Sequence, residues 1–345
     1  MIFCLVNVSV FRPIHYRPTI QLPMEPLIDI YAEKIGADTG GASFTQNFTI
    51  IYLKMGFERM DAATKAKLTP KLIRSLEDKP DSHRESFLFL LLPVLGSIPC
   101  PESQSLEERK AALGLDSLPI TKKLLLDMMF DILLLPYGIF TPSSSSSGSS
   151  STDASAGGPV VPGTGGGLPP GMSKTSFKRI TGDNPLSPEA LEKTKLSVLK
   201  FIGMELFEEE EVVVHYVVGS SDTRHSVATV AELALKRAAN AANWNHPPTV
   251  SKIYDLFRGS AVAKTKSAPV VADDDKRSPA STRLRLKLFP FLLKSRQSAD
   301  HFPALVQVVF DCLFGAGASN AKLKANAVQL THHAADFCSD TKFKV

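Results

Sequence analysis

SSDTRHSVATVAEL, residues 220–233, places a serine, an aspartate and a histidine within six positions, and its reading decides between a hydrolase and a helix. A catalytic triad is assembled from separate parts of a fold, with the base turned to the nucleophile and a third group holding the base. Ser220, Asp222 and His225 instead share one short segment, without a G-x-S-x-G elbow or a glycine pair that could form an oxyanion hole. The alternative needs only a turn. Ser221 or Asp222 accepts a hydrogen bond from the open amides of a first helical turn, and Val227, Val230, Ala231, Ala234 and Leu235 supply one face. An aspartate in the turn, a branched residue at Val227, then Ala231 and Leu235 at intervals of four, is the pattern of the second helix of a repeated helical hairpin.

Two further segments carry looser copies of this pattern. LEDKPDSHRESFLFLLLPVL (76–95) has Asp78 in the turn and Phe87, Leu90, Leu91 and Leu95 as buried positions. GASNAKLKANAVQLTHH (317–333) is built on Leu323, Ala327 and Leu330. Such spacing is that of HEAT repeats. Other segments require cover on several sides. In PITKKLLLDMMFDILLLPYG (119–138), a helical turn of 100° per residue leaves Lys123, Asp127 and Asp131 along one edge and apolar side chains elsewhere. In TRLRLKLFPFLLKSR (282–296), Leu284, Leu288, Phe291 and Leu292 form one face and Leu286, Phe289 and Leu293 another, while Arg283, Lys287 and Lys294 make a basic stripe. Pro290 is expected to bend this helix or end its first part. EVVVHYVV (211–218) is the best strand candidate by its β-branched run, yet its helical flanks favour a helix. The reading is all-α: an α-solenoid of HEAT-like helix pairs, interrupted by the Ser/Gly/Pro-rich segment 141–170, which is expected to be disordered. A shorter flexible connection is expected near 264–279.

Composition narrows the function. The formal charge is +4 on 39 basic and 35 acidic residues, far from the dense positive field of nucleic-acid binders, so no nucleic-acid partner is expected. Cys4, Cys100, Cys312 and Cys338 are scattered and read as reduced thiols of an intracellular protein. The apolar opening MIFCLVNVSVF lacks a basic region and a cleavage site and reads as no signal peptide. The other apolar stretches are too short for a bilayer or carry Asp127 and Asp131, so no direct membrane insertion is expected.

No catalytic residue, cofactor or metal ligand is assigned. GLPPGMSKT (167–175) has glycines and a Lys-Thr pair, but no glycine immediately precedes Lys174 and prolines interrupt it, so linker is the better reading of it than phosphate loop. Asp127 and Asp131 read as a solvated edge or a partner-facing strip. His332 and His333 are neighbours, diverge by about 100° on a helix and cannot share one ion. The acidic run in FEEEEVVV (207–214) is a solvated face or a lure for a basic partner. Trp244 is expected to anchor a turn between helices. The stripe of Arg283, Lys287 and Lys294 is the preferred partner contact, since the exposed edge of a solenoid is where partners dock.

A more specific resemblance rests on RPTIQLPMEPLIDIY (17–31), FTQNFTIIYLKMGF (44–57), LLLDMMFDILLLPYG (124–138), PPGMSKTSFKRITGDNPLSPEALEKTKLSVLKFI (169–202), SSDTRHSVAT (220–229) and STRLRLKLFPFLLKSRQSADHFPALVQVVFDCLFG (281–315). In this order these segments resemble the amino-terminal region of the proteasome adaptor and scaffold family. The resemblance implies HEAT-like repeats over 17–140 and 171–336 around the insertion, with atypical ends at 1–16 and 337–345, and covers only the beginning of the family's much longer array, as expected of a fragment or an imperfect gene model. It also implies a non-enzymatic scaffold of the cytoplasm and nucleus that binds the 26S proteasome, helps its core and regulatory particles associate, and takes part in assembly and quality control. The alternatives are an importin-like HEAT protein carrying cargo and, third, a hydrolase.

Overall fold

A computed structural model of the protein describes residues 24–32, 40–99, 104–138, 168–181, 186–259 and 275–339. Among them are fourteen α-helices, and no strand occurs among the described residues. The helices are α1 (Met24–Ala32), α2 (Gly40–Arg59), α3 (Ala62–Arg74), α4 (Asp81–Leu91), α5 (Leu106–Leu113), α6 (Pro119–Leu134), α7 (Lys174–Thr181), α8 (Pro188–Ile202), α9 (Glu209–Ser220), α10 (His225–Ala241), α11 (Pro247–Arg258), α12 (Thr282–Lys294), α13 (Ala304–Phe314) and α14 (Ala321–Phe337). The chain divides into two compact units, one of residues 1–132 and 192–242, the other of 133–191 and 243–345. Most of the expected insertion 141–170, most of the connection 264–279, residues 1–16, Cys4 and Cys100 lie outside the described residues.

Within the first unit, α1 packs on α2 and on α3, while α2 packs on α4. First helix on first helix and second on second is how successive helical hairpins stack, each burying the apolar face its neighbour cannot cover alone. The contacts are aromatic at the α1–α4 junction. Tyr31 meets the edge of Phe87 with ring centroids 5.5 Å apart, donates its hydroxyl hydrogen to His83 Nδ1 at 3.1 Å, and lies under the Lys79 ammonium at 4.8 Å. Some helix starts are satisfied locally and one by a neighbour. Asp61 caps α3 through the Thr64 amide at 2.9 Å. Glu77, from the turn after α3, accepts from the Ile120 and Thr121 amides that open α6, at 3.0 and 2.9 Å. A carboxylate on those open amides also meets the positive end of the helix dipole.

Burial, with the nearby Lys54 and Lys79 ammoniums, holds the His83 imidazole below its ordinary value. The unfolded chain therefore takes up the proton first as pH falls. The stability His83 contributes is complete above about pH 6.5 and is lost as the pH drops from there toward the lowered native value. His83→Asn is expected to make the loss of thermal stability between about pH 7.5 and pH 5.5 smaller than in the unsubstituted protein. Equal losses in two melting series would contradict the assignment.

The hairpin α9–α10 forms the most closely packed pair of the first unit. Every residue from Val212 to Ser220 is buried, so the β-branched run EVVVHYVV is helical because it is covered all round, where packing outweighs its strand preference. His215 Nε2 donates to the Leu126 carbonyl of α6 at 3.0 Å and meets Phe130 edge-on at 5.2 Å. Gly219 sits where the helices come closest. A Cβ there would lie 2.9 Å from that of Ala231 and 3.3 Å from Leu199 of α8. In α10 the buried seam is Val227, Ala228, Ala231 and Ala238, whereas Val230 and Leu233 are exposed, so the apolar face is narrower than the sequence suggested.

In the second unit α11 packs on α12 and on α13, and α12 and α13 each pack on α14, which is the same layering. Leu284, Leu288, Phe291 and Leu292 are buried, as is Phe289 on the second apolar side of α12. Pro290 does not end the helix, which runs on to Lys294. Trp244, in the turn between α10 and α11, stacks on Phe291 with centroids 4.2 Å apart, the turn anchor expected of it. All three quoted repeat segments prove to be second helices: α4, α10 and α14. Leu323, Ala327 and Leu330 are fully buried in α14. In α4, however, Leu88 takes the buried place expected for Leu90.

Two local expectations fail. From Leu168 onward the segment read as linker is packed: the Gly171 amide donates to the Ser278 carbonyl at 3.1 Å, the Ser278 amide to the Met172 carbonyl at 2.9 Å, and Arg277 to the Gly171 carbonyl at 3.0 Å. Gly171 adopts φ of 85°, a conformation that a side chain would strain, and α7 begins three residues later. Asp131 is fully buried in α6, whereas Asp127 is half-buried and Lys123 exposed; the polar edge is covered by protein at Asp131 and opens to water toward Lys123.

Candidate partner-binding site

The opening Ser/Asp/His trio does not converge. The Ser220 hydroxyl is buried and donates to the Val217 carbonyl at 2.7 Å, within its own helix. His225 is exposed at the start of α10 beside Thr229. Asp222 is neither a triad member nor a helix cap. Its Oδ1 accepts from the Arg224 amide at 2.7 Å and so shapes the turn, but the first-turn amides of α10 receive no side-chain cap. Its Oδ2 pairs with Lys195 Nζ of α8 at 2.7 Å, both side chains being 2% exposed. This ion pair ties α8 to the turn between α9 and α10. Burial lowers the Lys195 pKa, and the facing Asp222 carboxylate works against that shift.

The acidic run at the start of α9 is also engaged inside the protein. Glu208 pairs with Lys110 at 3.2 Å and Glu211 with Lys122 at 3.1 Å, while the Glu208 amide donates to Glu211. Burial and three neighbouring carboxylates hold Glu209 above its ordinary value. His333 is buried and donates from Nε2 to the Ser295 carbonyl at 2.8 Å, whereas His332 is exposed. Cys312 and Cys338 are buried thiols. No group of three or more His, Cys, Asp or Glu placed to hold a metal ion occurs among the described residues. No helix among them is long and apolar enough to cross a membrane.

The basic stripe lies on α12 as the periodicity implies: Arg283, Lys287 and Lys294 fall within about 40° of arc on a helix of 3.6 residues per turn. Arg283 and Lys294 are exposed and Lys287 is half-buried. Lys294 extends over the Phe291 ring at 5.4 Å. The interleaved Arg285 points the other way, into the protein, where it bonds Asp311 of α13 at 2.7 Å and covers the Phe257 ring at 5.2 Å. What the sequence did not reveal is the partner helix. Lys322 of α14 joins Arg283 and Lys287 around a groove of about 680 Å³, completed by Thr282, Leu286, Ala325 and Asn326. The signal was present but weak, since Lys322 and Asn326 flank the buried Leu323 and Ala327 at helical spacing. Lys294, about 16 Å along the helix from Arg283 at 1.5 Å per residue, is not among the groove residues.

Comparison with known proteins gives the frame for this surface. Residues 8–345 match the sequence profile of the family described as "Proteasome component ECM29, N-terminal". The chain belongs to this family. The ECM29 match takes in residues 8–16 and 337–345, parts of the two ends expected to be atypical. Among curated relatives, the human "Proteasome adapter and scaffold protein ECM29" is 42% identical over 334 residues, covering 96% of this chain and 18% of the relative. The Drosophila melanogaster "Proteasome-associated protein ECM29 homolog" is 31% identical over 318 residues, covering 92% of this chain and 15% of the relative. The chain thus spans less than a fifth of either ECM29 relative. No solved structure matches it.

Proposed function

We propose that this chain is a non-enzymatic scaffold segment that binds the 26S proteasome, and that it helps core and regulatory particles associate during assembly and quality control in the cytoplasm and nucleus. The observation carrying this reading is membership, over nearly the whole chain, of a family whose human relative is named a proteasome adapter and scaffold protein and whose Drosophila relative is named proteasome-associated. The hairpin stacks are in keeping with it, since rigid layered helices hold surface side chains at fixed spacing for a large partner. The stripe of Arg283, Lys287 and Lys294 is the proposed contact, acting through charge complementarity to an acidic surface.

Affinity purification of the tagged chain from lysate, with mass spectrometry of what is retained, tests the reading. Subunits of assembled 26S particles are the expected result. A small nuclear GTPase in their place would support an importin-like protein and overturn the proposal. Reversing all three stripe charges is expected to lower the yield of proteasome severalfold near 50 mM salt and much less near 300 mM, where screening already weakens exposed charge pairs. Unchanged yield at both concentrations would remove the stripe from the contact.

A further inference from the structure

We infer that the groove between α12 and α14 is a receptor for an acidic peptide segment in extended conformation, with carboxylates at alternate positions. Its charge is one-sided: Arg283, Lys287 and Lys322 stand among seven lining residues that include no Asp or Glu. Neither Arg283 nor Lys322 forms an ion pair among the described residues, and both are exposed. Leu286 and Ala325 add apolar surface, and the Asn326 amide and Thr282 hydroxyl are polar groups of the kind that can bond a peptide main chain. The spacing also fits. Arg283 and Lys287 are four residues apart, so about 6 Å along the helix. Alternate side chains of an extended strand point to one side about 6.8 Å apart. Two acidic residues separated by one can therefore meet both cations, while Lys322 reaches the segment from α14.

The inference takes from the scaffold reading only the source of the segment, a partner protein. Binding itself can be measured without the proteasome. The whole chain is titrated against a short fluorescein-labelled peptide of alternating Glu and Val, against the same peptide with Gln for Glu, and against a labelled single-stranded oligonucleotide. Fluorescence anisotropy reports binding, and circular dichroism confirms folding of each variant. The Glu peptide is expected to bind at least about tenfold more tightly than the Gln peptide and than the oligonucleotide. The triple variant Arg283→Glu, Lys287→Glu, Lys322→Glu is expected to lose at least about tenfold, since three attractive charge pairs are removed and each reversal adds repulsion. A control triple with the same change of net charge, Lys67→Glu, Lys193→Glu, Lys236→Glu at exposed sites, is expected to stay within about threefold. Equal losses in the two triples, equal binding of the Gln peptide, or tighter binding of the oligonucleotide through the same three residues would each overturn the inference. Proteasome capture that persists in a groove variant unable to bind the peptide leaves the scaffold reading intact; a chain that binds the peptide but never retains proteasomes overturns the scaffold reading alone.

Discussion

Asp222→Ala is expected to destabilise the protein by about 3–5 kcal/mol, the cost of breaking a buried ion pair by removing one member. The Lys195 ammonium would stay enclosed with its carboxylate 2.7 Å away removed, and the Arg224 amide would lose the oxygen that shapes the turn. The loss belongs to a buried ammonium deprived of its facing carboxylate, so removing both charges should undo most of it. In Lys195→Met/Asp222→Asn, the side-chain oxygen of the introduced asparagine can still accept from the Arg224 amide, and the introduced methionine fills the lysine's channel without a charge to desolvate. Urea unfolding of Lys195→Met, of Asp222→Asn and of the double closes a cycle whose interaction term should be large. An Asp222→Ala variant less than about 1 kcal/mol below the unsubstituted protein would mean the pair is a passive neighbour.

The second large effect is expected at Phe257 in α11. Its ring is fully buried, meets Phe289 of α12 edge-on with centroids 4.9 Å apart at 83°, and carries the Arg285 guanidinium on its face at 5.2 Å. Phe257→Ala should cost about 3–5 kcal/mol through lost burial and the cavity it leaves. Phe257→Leu, which keeps most of the volume, should cost less than about 1.5 kcal/mol. Arg285 also depends on that ring, because its ion pair to Asp311 at 2.7 Å is held where the guanidinium is stacked. Hydrogen exchange in the alanine variant should therefore quicken in α12 and α13 as well as in α11. Protection unchanged outside α11 would show that these helices do not share one core.

The repeated hairpins were legible because their second helices carry a simple spacing. Val227 and Ala231, or Leu323, Ala327 and Leu330, recur where a helix of 3.6 residues per turn returns to the same face. Packing of first helix on first and second on second is a long-range arrangement that no single segment encodes. The β-branched run 211–218 could be read as a helix only from its flanks. Its own residues favour strands, and the burial that overrides them comes from α6, α8 and α10, distant in sequence. Asp131 and Asp222 show the same limit for polar groups. A carboxylate on an apolar helix or in a turn reads as solvated or as a cap unless the group that faces it is known, and Lys195 is 27 residues from Asp222. The basic stripe on α12 lay within one helix and was found. The groove needs α14, which periodicity cannot place beside α12.

The claim on which the rest depends is that this chain binds the proteasome. Co-sedimentation of the purified chain with purified 26S particles tests it most directly, because no third protein can bridge them. The account predicts that the chain moves into the fast-sedimenting fraction with intact particles, saturably and less at high salt. A chain that stays wholly in the slow fraction, beside particles shown by activity to be intact, would contradict it.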